Sequence, residues 1–172
     1  CIPVDPYYLV HKAREVGFHT ELITAARRVN DGMAAYIANE AIKHLVSNGK
    51  RVNESKALIL GLTFKENVQD TRNSQVFELI DEFESFGLRM WVHDPLVTVP
   101  RFAERTVIDP FAETGAFDLV VLAVPHAEYL DRNVSEFLAL CNNATGPGLL
   151  VDVRGAYREL VTEESTTSYW SL

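Results

Sequence analysis

The sequence predicts an α/β fold in which a long connecting helix precedes a doubly wound, mainly parallel sheet. Three observations predict it. Short runs at residues 57–60, 118–124 and 149–152, apolar but for the terminal Asp118 and Asp152, read as strands covered on both faces, since a sheet with one wet face would alternate. Segments of helical period separate these runs, which is the βαβ arrangement with right-handed crossovers. Residues 20–48 repeat apolar positions (Leu22, Val29, Met33, Ile37, Ala41, Leu45 among them) at helical spacing with no proline, and Gly32 is the one weak point.

In chain order, Asp5 followed by Pro6 reads as an N-cap with proline at the first helical position, starting a helix over 6–16 that Gly17 stops. Cys1 and Asp5 then flank a turn at a helix N-terminus, where a thiol becomes a better nucleophile. A buried cysteine beside a routine cap is the plainer reading of that pair. The helix over 20–48 is longer than most globular helices and suits a connector between domains or a dimer seam. Arg27, Arg28 and Asp31 read as its solvated face. Asn30 stands apart because it lies within a turn of Val29 and Met33. Asn48 and Gly49 cap the helix, and residues 50–55 are a linker.

The strand over 57–60 ends at Gly61, and its loop carries Lys65 and Arg72, seven residues apart. Asn73 or Ser74 caps the next helix, whose apolar positions are Val76, Phe77, Leu79, Ile80 and Phe83. A loop at the carboxyl end of a strand, beside a helix N-terminus, is where open α/β sheets bind anions. Two solvated loop cations are the alternative. A strand over 88–92 follows and ends at His93-Asp94-Pro95; 98–103 is irregular, 107–108 a short edge strand and 110–115 a helical turn. The strand over 118–124, a helix over 134–141 and a strand over 149–152 complete the alternation. The tail over 163–172 is polar with Tyr169 and Trp170, and is expected to be loosely ordered or to dock on a partner. Lys65, Arg72, Asp94, His126, Asp152 and Arg154 sit at strand carboxyl ends and are expected to line one crevice.

Composition narrows the function. With 47% hydrophobic and 23% charged residues among 172, the chain is a folded domain with an appendage. A net charge of −8 argues against a nucleic-acid binder, so an anionic ligand needs a local basic site. Two distant cysteines, Cys1 and Cys141, make no disulfide framework, which points to a reducing, cytoplasmic setting. No apolar run is long enough to span a membrane. No G-x-G-x-x-G follows any strand, no G-x-S-x-G is present, and no Cys/His spacing suits a metal. His93 and His126 at strand ends read as polar caps.

Four ordered motifs carry a resemblance: Cys1-Ile-Pro-Val-Asp5-Pro-Tyr-Tyr8, Arg28-Val-Asn30-Asp-Gly-Met33, Gly61-Leu-Thr-Phe64-Lys65 continuing to Asp70-Thr-Arg72-Asn-Ser74, and His93-Asp94-Pro95. Together they resemble the UDP-glucose/GDP-mannose dehydrogenase family. Val-Asp-Pro-Tyr-Tyr is similar to the branch acting on UDP-N-acetylhexosamines for polysaccharide synthesis; the UDP-glucose branch usually carries Lys where this chain has Val4. The resemblance implies an NAD-dependent UDP-sugar 6-dehydrogenase built from an NAD-binding domain, a central helix and a UDP-sugar domain. It assigns residues 1–50 to the central helical, dimerising region and 51–172 to a Rossmann-like UDP-binding domain. The NAD-binding domain is absent from this chain, so the fragment alone is expected to be inactive.

The resemblance also implies roles. Cys1 is the nucleophile that forms a thiohemiacetal and then a thioester, and Asp5 activates the hydrolytic water. Asn30 faces the reacting carbon and its oxyanion. Phe64, Lys65 and Arg154 contact the UDP-sugar, and Arg72 reaches toward NAD. A homodimer through the long helix is implied as well. A non-catalytic nucleotide-sugar-binding module or a dimerisation fragment is the competing reading.

Overall fold

The computed structural model describes residues 4–161 and 165–172. Three helices come first: α1 (Asp5–Glu15), α2 (Glu21–Asp31) and α3 (Met33–Ser47). The α/β part contains β1 (Lys56–Leu60), α4 (Val76–Ser85), β2 (Arg89–His93), β3 (Leu119–Leu122), α5 (Ala127–Leu130), α6 (Val134–Leu140), β4 (Leu149–Asp152) and β5 (Ser168–Ser171). The strands form one sheet in the order β2-β1-β3-β4-β5, and every pairing is parallel.

Both faces of the sheet are covered, which explains the unbroken apolar runs. Ala57, Ile59, Leu119, Val121, Leu149 and Val151 face α3 and α4, packing with Ala38, Ala41, Leu45, Ile80 and Phe83. Leu58, Leu60, Val120, Leu122 and Leu150 face the opposite layer, with Tyr129, Phe137, Leu140 and Tyr157. Each such fully buried aliphatic side chain contributes roughly 1.5–3 kcal/mol.

The long helix is broken where its one glycine sits. Gly32 (φ −82°, ψ −4°) separates α2 from α3, although the Tyr36 amide still donates to the Gly32 carbonyl. A glycine costs about 1 kcal/mol relative to alanine inside a helix, so the break falls there. Burial also differs across it. Ala34, Ile37, Ala38, Ala41 and Leu45 of α3 are buried, whereas α2 buries no residue.

Several expected boundaries shift. Val4, not Asp5, takes the N-cap position of α1, and Asp5 is the first helical residue with Pro6 behind it. Residues 107–108 form no strand. Val107 donates to the Val92 carbonyl beside a single bridge from Thr106, and Ile108 is 94% exposed. Residues 98–103, expected to be irregular, overlap a 3-10 helix at Pro100–Arg105 that buries Phe102. The short α5 had no signal in the sequence.

The tail is the largest correction. Ser168–Ser171 is the fifth strand, and its pairing with β4 closes the sheet on that side. The Tyr169 hydroxyl donates to Asp152 (2.9 Å), Asn48 donates to the Ser168 hydroxyl (2.9 Å), and Trp170 packs near Tyr36 and His44. A four-residue strand is too short to show a period. Residues 162–164 of the expected tail lie outside the described residues.

Candidate functional site

The strand order reverses between β1 and β3, and in parallel sheets ligands bind where the carboxyl ends diverge in this way. A cleft of about 910 Å³ opens there. Its floor is Ala123 and Val124 after β3 and Val153 and Arg154 after β4. One wall is the loop after β1 with the start of α4. The other is α2 and α3, through Arg27, Asn30, Met33, Ala34 and Ile37.

Local chemistry builds the loop wall. Gly61 (φ +89°) turns the chain out of β1 close to Val124, and its amide donates to the His93 carbonyl. Thr63 donates to the Lys65 carbonyl (2.9 Å). Ser74 donates to the Thr63 carbonyl (3.2 Å) and accepts from the Val76 amide (3.4 Å), so it ties the loop to the first turn of α4. Gln75 donates to the Asn30 carbonyl (3.4 Å), joining the two walls.

Four cations and two carboxylates line the cleft of a chain whose net charge is −8. Arg72 forks onto Asp70 (Nε to Oδ1 3.0 Å, Nη2 to Oδ2 2.7 Å), and those hydrogen bonds hold the Asp70 carboxyl at about 2, well below the usual carboxylate range. Arg154 pairs with Glu66 at 2.9 Å. Lys65 makes no ion pair among the described residues, and Phe64 beside it is 48% exposed. Among the described residues the cleft therefore offers one ammonium without an ion pair, three guanidiniums each held by a carboxylate of this chain, Arg27 by Asp31, and an aromatic face.

Of the residues predicted from sequence, Asn30, Phe64, Lys65, Arg72 and Arg154 share this cleft. Asp5 is exposed at the start of α1 and does not line it, and Cys1 lies outside the described residues. Three of the strand-end residues expected in the crevice are elsewhere. Asp94 and His126 are buried beneath the loop after β1, paired with each other at 3.1 Å. Asp152 points to the opposite face of the sheet, where it accepts from the Tyr157 amide and the Tyr169 hydroxyl. Side chains alternate along a strand, so a position at its end does not settle which side it serves.

Arg27, expected on the solvated face of the helix, is instead largely buried. Its side chain is 11% exposed, pairs with Asp31, and lies 5.3 Å over the Tyr7 ring, while the Tyr7 hydroxyl also donates to Asp31. Arg27 lines both the cleft and a smaller groove against α1, so it links α1 to the site. Its three-residue separation from Asn30, which puts both on one helix face, was the available signal.

Comparison with known proteins adds to this geometry. The sequence pattern described as "UDP-glucose/GDP-mannose dehydrogenase family, UDP binding domain" matches residues 58–159. The chain is similar to Protein CapL of Staphylococcus aureus, 42% identical over 158 residues that cover 90% of this chain and 36% of the relative. It is 40% identical over 131 residues to a UDP-N-acetyl-D-glucosamine 6-dehydrogenase of Pseudomonas aeruginosa, covering 75% and 31% of the two chains. It thus spans about a third of the length of these curated relatives. Among solved structures, a UDP-D-ManNAc dehydrogenase from Pyrococcus horikoshii matches with a TM-score of 0.78 at 24% identity, over 99% of this chain and 37% of the other. An NDP-N-acetyl-D-galactosaminuronic acid dehydrogenase from Methanosarcina mazei matches with a TM-score of 0.81 at 22% identity and the same coverages. At these identities the two structures establish the fold.

Proposed function

This chain belongs to the UDP-glucose/GDP-mannose dehydrogenase family, and on that premise we propose that it is the nucleotide-sugar-binding portion of an NAD-dependent UDP-sugar 6-dehydrogenase. The substrate is a UDP-N-acetylhexosamine, oxidised at C6 to the uronic acid for polysaccharide synthesis in the cytoplasm. Residues 51–172 hold the nucleotide sugar, and residues 1–50 connect them to an NAD-binding domain. The observation that carries this reading is the convergence of Asn30, Phe64, Lys65, Arg72 and Arg154 on one cleft at the sheet's reversal point.

The residues divide the chemistry. The Lys65 ammonium meets the diphosphate, and Phe64 offers an apolar surface beside it. Arg154 leaves Glu66 to contact substrate. Cys1 adds to the C6 aldehyde to give a thiohemiacetal, and the thioester formed on its oxidation is hydrolysed by water that Asp5 activates, releasing the acid and the thiol. Asn30 donates to the oxyanion. NAD would supply the hydride acceptor for both oxidations. Arg72 fits a phosphate of that cofactor, because it stands 86% exposed at the rim and already holds an anion in a bidentate fork.

A homodimer follows from the same reading. Leu22 (83% exposed) and Val29 (68%) of α2 are apolar positions that this chain does not cover. Titration calorimetry with UDP tests the central assignment. Binding by the native protein that weakens about tenfold or more in Lys65→Ala, as for a charged hydrogen bond, supports it. Equal binding by the variant removes Lys65 from the site.

A further inference from the structure

We propose that His126 is a positioning residue for the nucleotide-sugar cleft: its single imidazole staples both ends of the 63–67 segment that presents Phe64 and Lys65. This rests on the reading of that cleft given above and goes beyond it, because His126 itself lies beneath the loop.

The geometry is closed on every side. The Asn67 amide donates to His126 Nδ1 at 2.9 Å, which assigns the ring proton to Nε2. Nε2 then faces two acceptors, Asp94 Oδ2 at 3.1 Å and Thr63 Oγ1 at 3.3 Å. The Thr63 hydroxyl passes the chain of bonds on to the Lys65 carbonyl. A return bond runs from the Ala127 amide to Asn67 Oδ1 at 2.9 Å. Asn67 sits at φ +58°, an uncommon conformation for any residue but glycine, and the two bonds hold it there.

Asp94 anchors the imidazole in turn. Its Oδ2 also accepts from the Leu62 amide (2.6 Å), and its Oδ1 accepts from Leu96 (2.8 Å) and Val97 (3.2 Å). The His126 side chain is 1% exposed and that of Asp94 fully buried, so these bonds compete with no water. A surface loop gains most of its order from such buried anchors, and a ligand that binds an ordered loop avoids the entropy of fixing it.

The test compares His126→Asn with His126→Gln in the protein as expressed from its own gene. An Asn amide oxygen falls near Nδ1 and keeps the acceptor for Asn67. Gln reaches the Nε2 position and keeps only the side facing Asp94. We expect UDP to bind about tenfold more weakly to both variants, each of which drops one of the two ends, and the Asn67 amide to exchange faster than native in His126→Gln but not in His126→Asn. Native UDP affinity in both folded variants, or equal Asn67 exchange in the two, overturns the proposal. Hydrogen exchange needs no variant: the Asn67 amide should exchange at least about tenfold more slowly than in a free peptide. Free-peptide exchange at Asn67 overturns the staple even if neither variant folds. If the native protein does not bind UDP, the proposed function falls, while the exchange rate still decides the staple.

Discussion

A Cβ added at Gly61 would lie 2.5 Å from the Val124 carbonyl oxygen. The loops leaving β1 and β3 touch backbone to backbone at this point, and Val124 is part of the cleft floor. The φ of +89° at Gly61 adds a second reason for glycine.

Gly61→Ala is therefore expected to destabilise the chain by at least about 1–3 kcal/mol, the usual range for a strained backbone, because the clash is with main chain that cannot rotate away. Urea unfolding measures it, and UDP affinity should fall with it. Native stability and native affinity in this variant would show that the two loops separate freely.

Lys50 is buried at the opposite end of the sheet, just past α3. Its ammonium donates to Asp118 (2.9 Å) and to the Asn142 carbonyl (2.6 Å), with its side chain 2% exposed. Asp118 also accepts from the Lys56 amide and Asn142 Nδ2. Removing one member of a buried pair leaves the other charge uncompensated, so Lys50→Ala should cost about 3–5 kcal/mol. A change below about 1 kcal/mol, within the range of exposed pairs, would mean that water reaches Asp118.

Asp70 should titrate at about 2, because the Arg72 fork and amide favour its ionised form. Its folded value lies below the unfolded one. The pair thus helps the loop above the ordinary carboxylate range and ceases to do so as pH falls through about 2. Carboxyl-carbon NMR checks this directly. In Arg72→Ala the titration should return toward the ordinary range; an ordinary value in the native protein would mean that the fork is not formed in solution.

The two cysteines should differ in reactivity. Cys141 is 3% exposed, and burial pushes its thiol up to about 12. Thiolate is the reacting form, so iodoacetamide at neutral pH should label Cys1 and leave Cys141 unmodified. Peptide mass spectrometry reads the result. Faster labelling at Cys141 would contradict its packing among Phe117, Phe137 and Leu140.

Much of this was legible in the linear chain. The apolar runs located β1, β3 and β4, because a strand covered on both faces is built mainly of apolar side chains, with a polar one such as Asp152 only where partners bond it. Gly32 was visible only as the weak point of a helix expected to run unbroken over 20–48, and the break between α2 and α3 falls there. The charges at Lys65, Arg72 and Arg154 pointed to the cleft because strand ends and helix starts meet at a parallel sheet's edge. Other features left no local trace. The fifth strand depends on Tyr169 finding Asp152 and Ser168 finding Asn48, partners far away in sequence. Arg27 is held between Asp31 of its own helix and the Tyr7 ring of α1, and the second of these contacts is distant in sequence.

What the sequence alone determined is thus strands β1 to β4 with helices α1, α4 and α6, their parallel arrangement and the supply of cations for an anionic ligand, all consequences of residue type and spacing. Tertiary structure alone decided which charges stay free and which are held. It paired Arg72 with Asp70 and Arg154 with Glu66, left Lys65 without an ion pair among the described residues, and drew Asp94 and His126 under the loop. Hydrogen bonding and burial act across space, and a strand-end residue learns its side of the sheet only when its neighbours arrive.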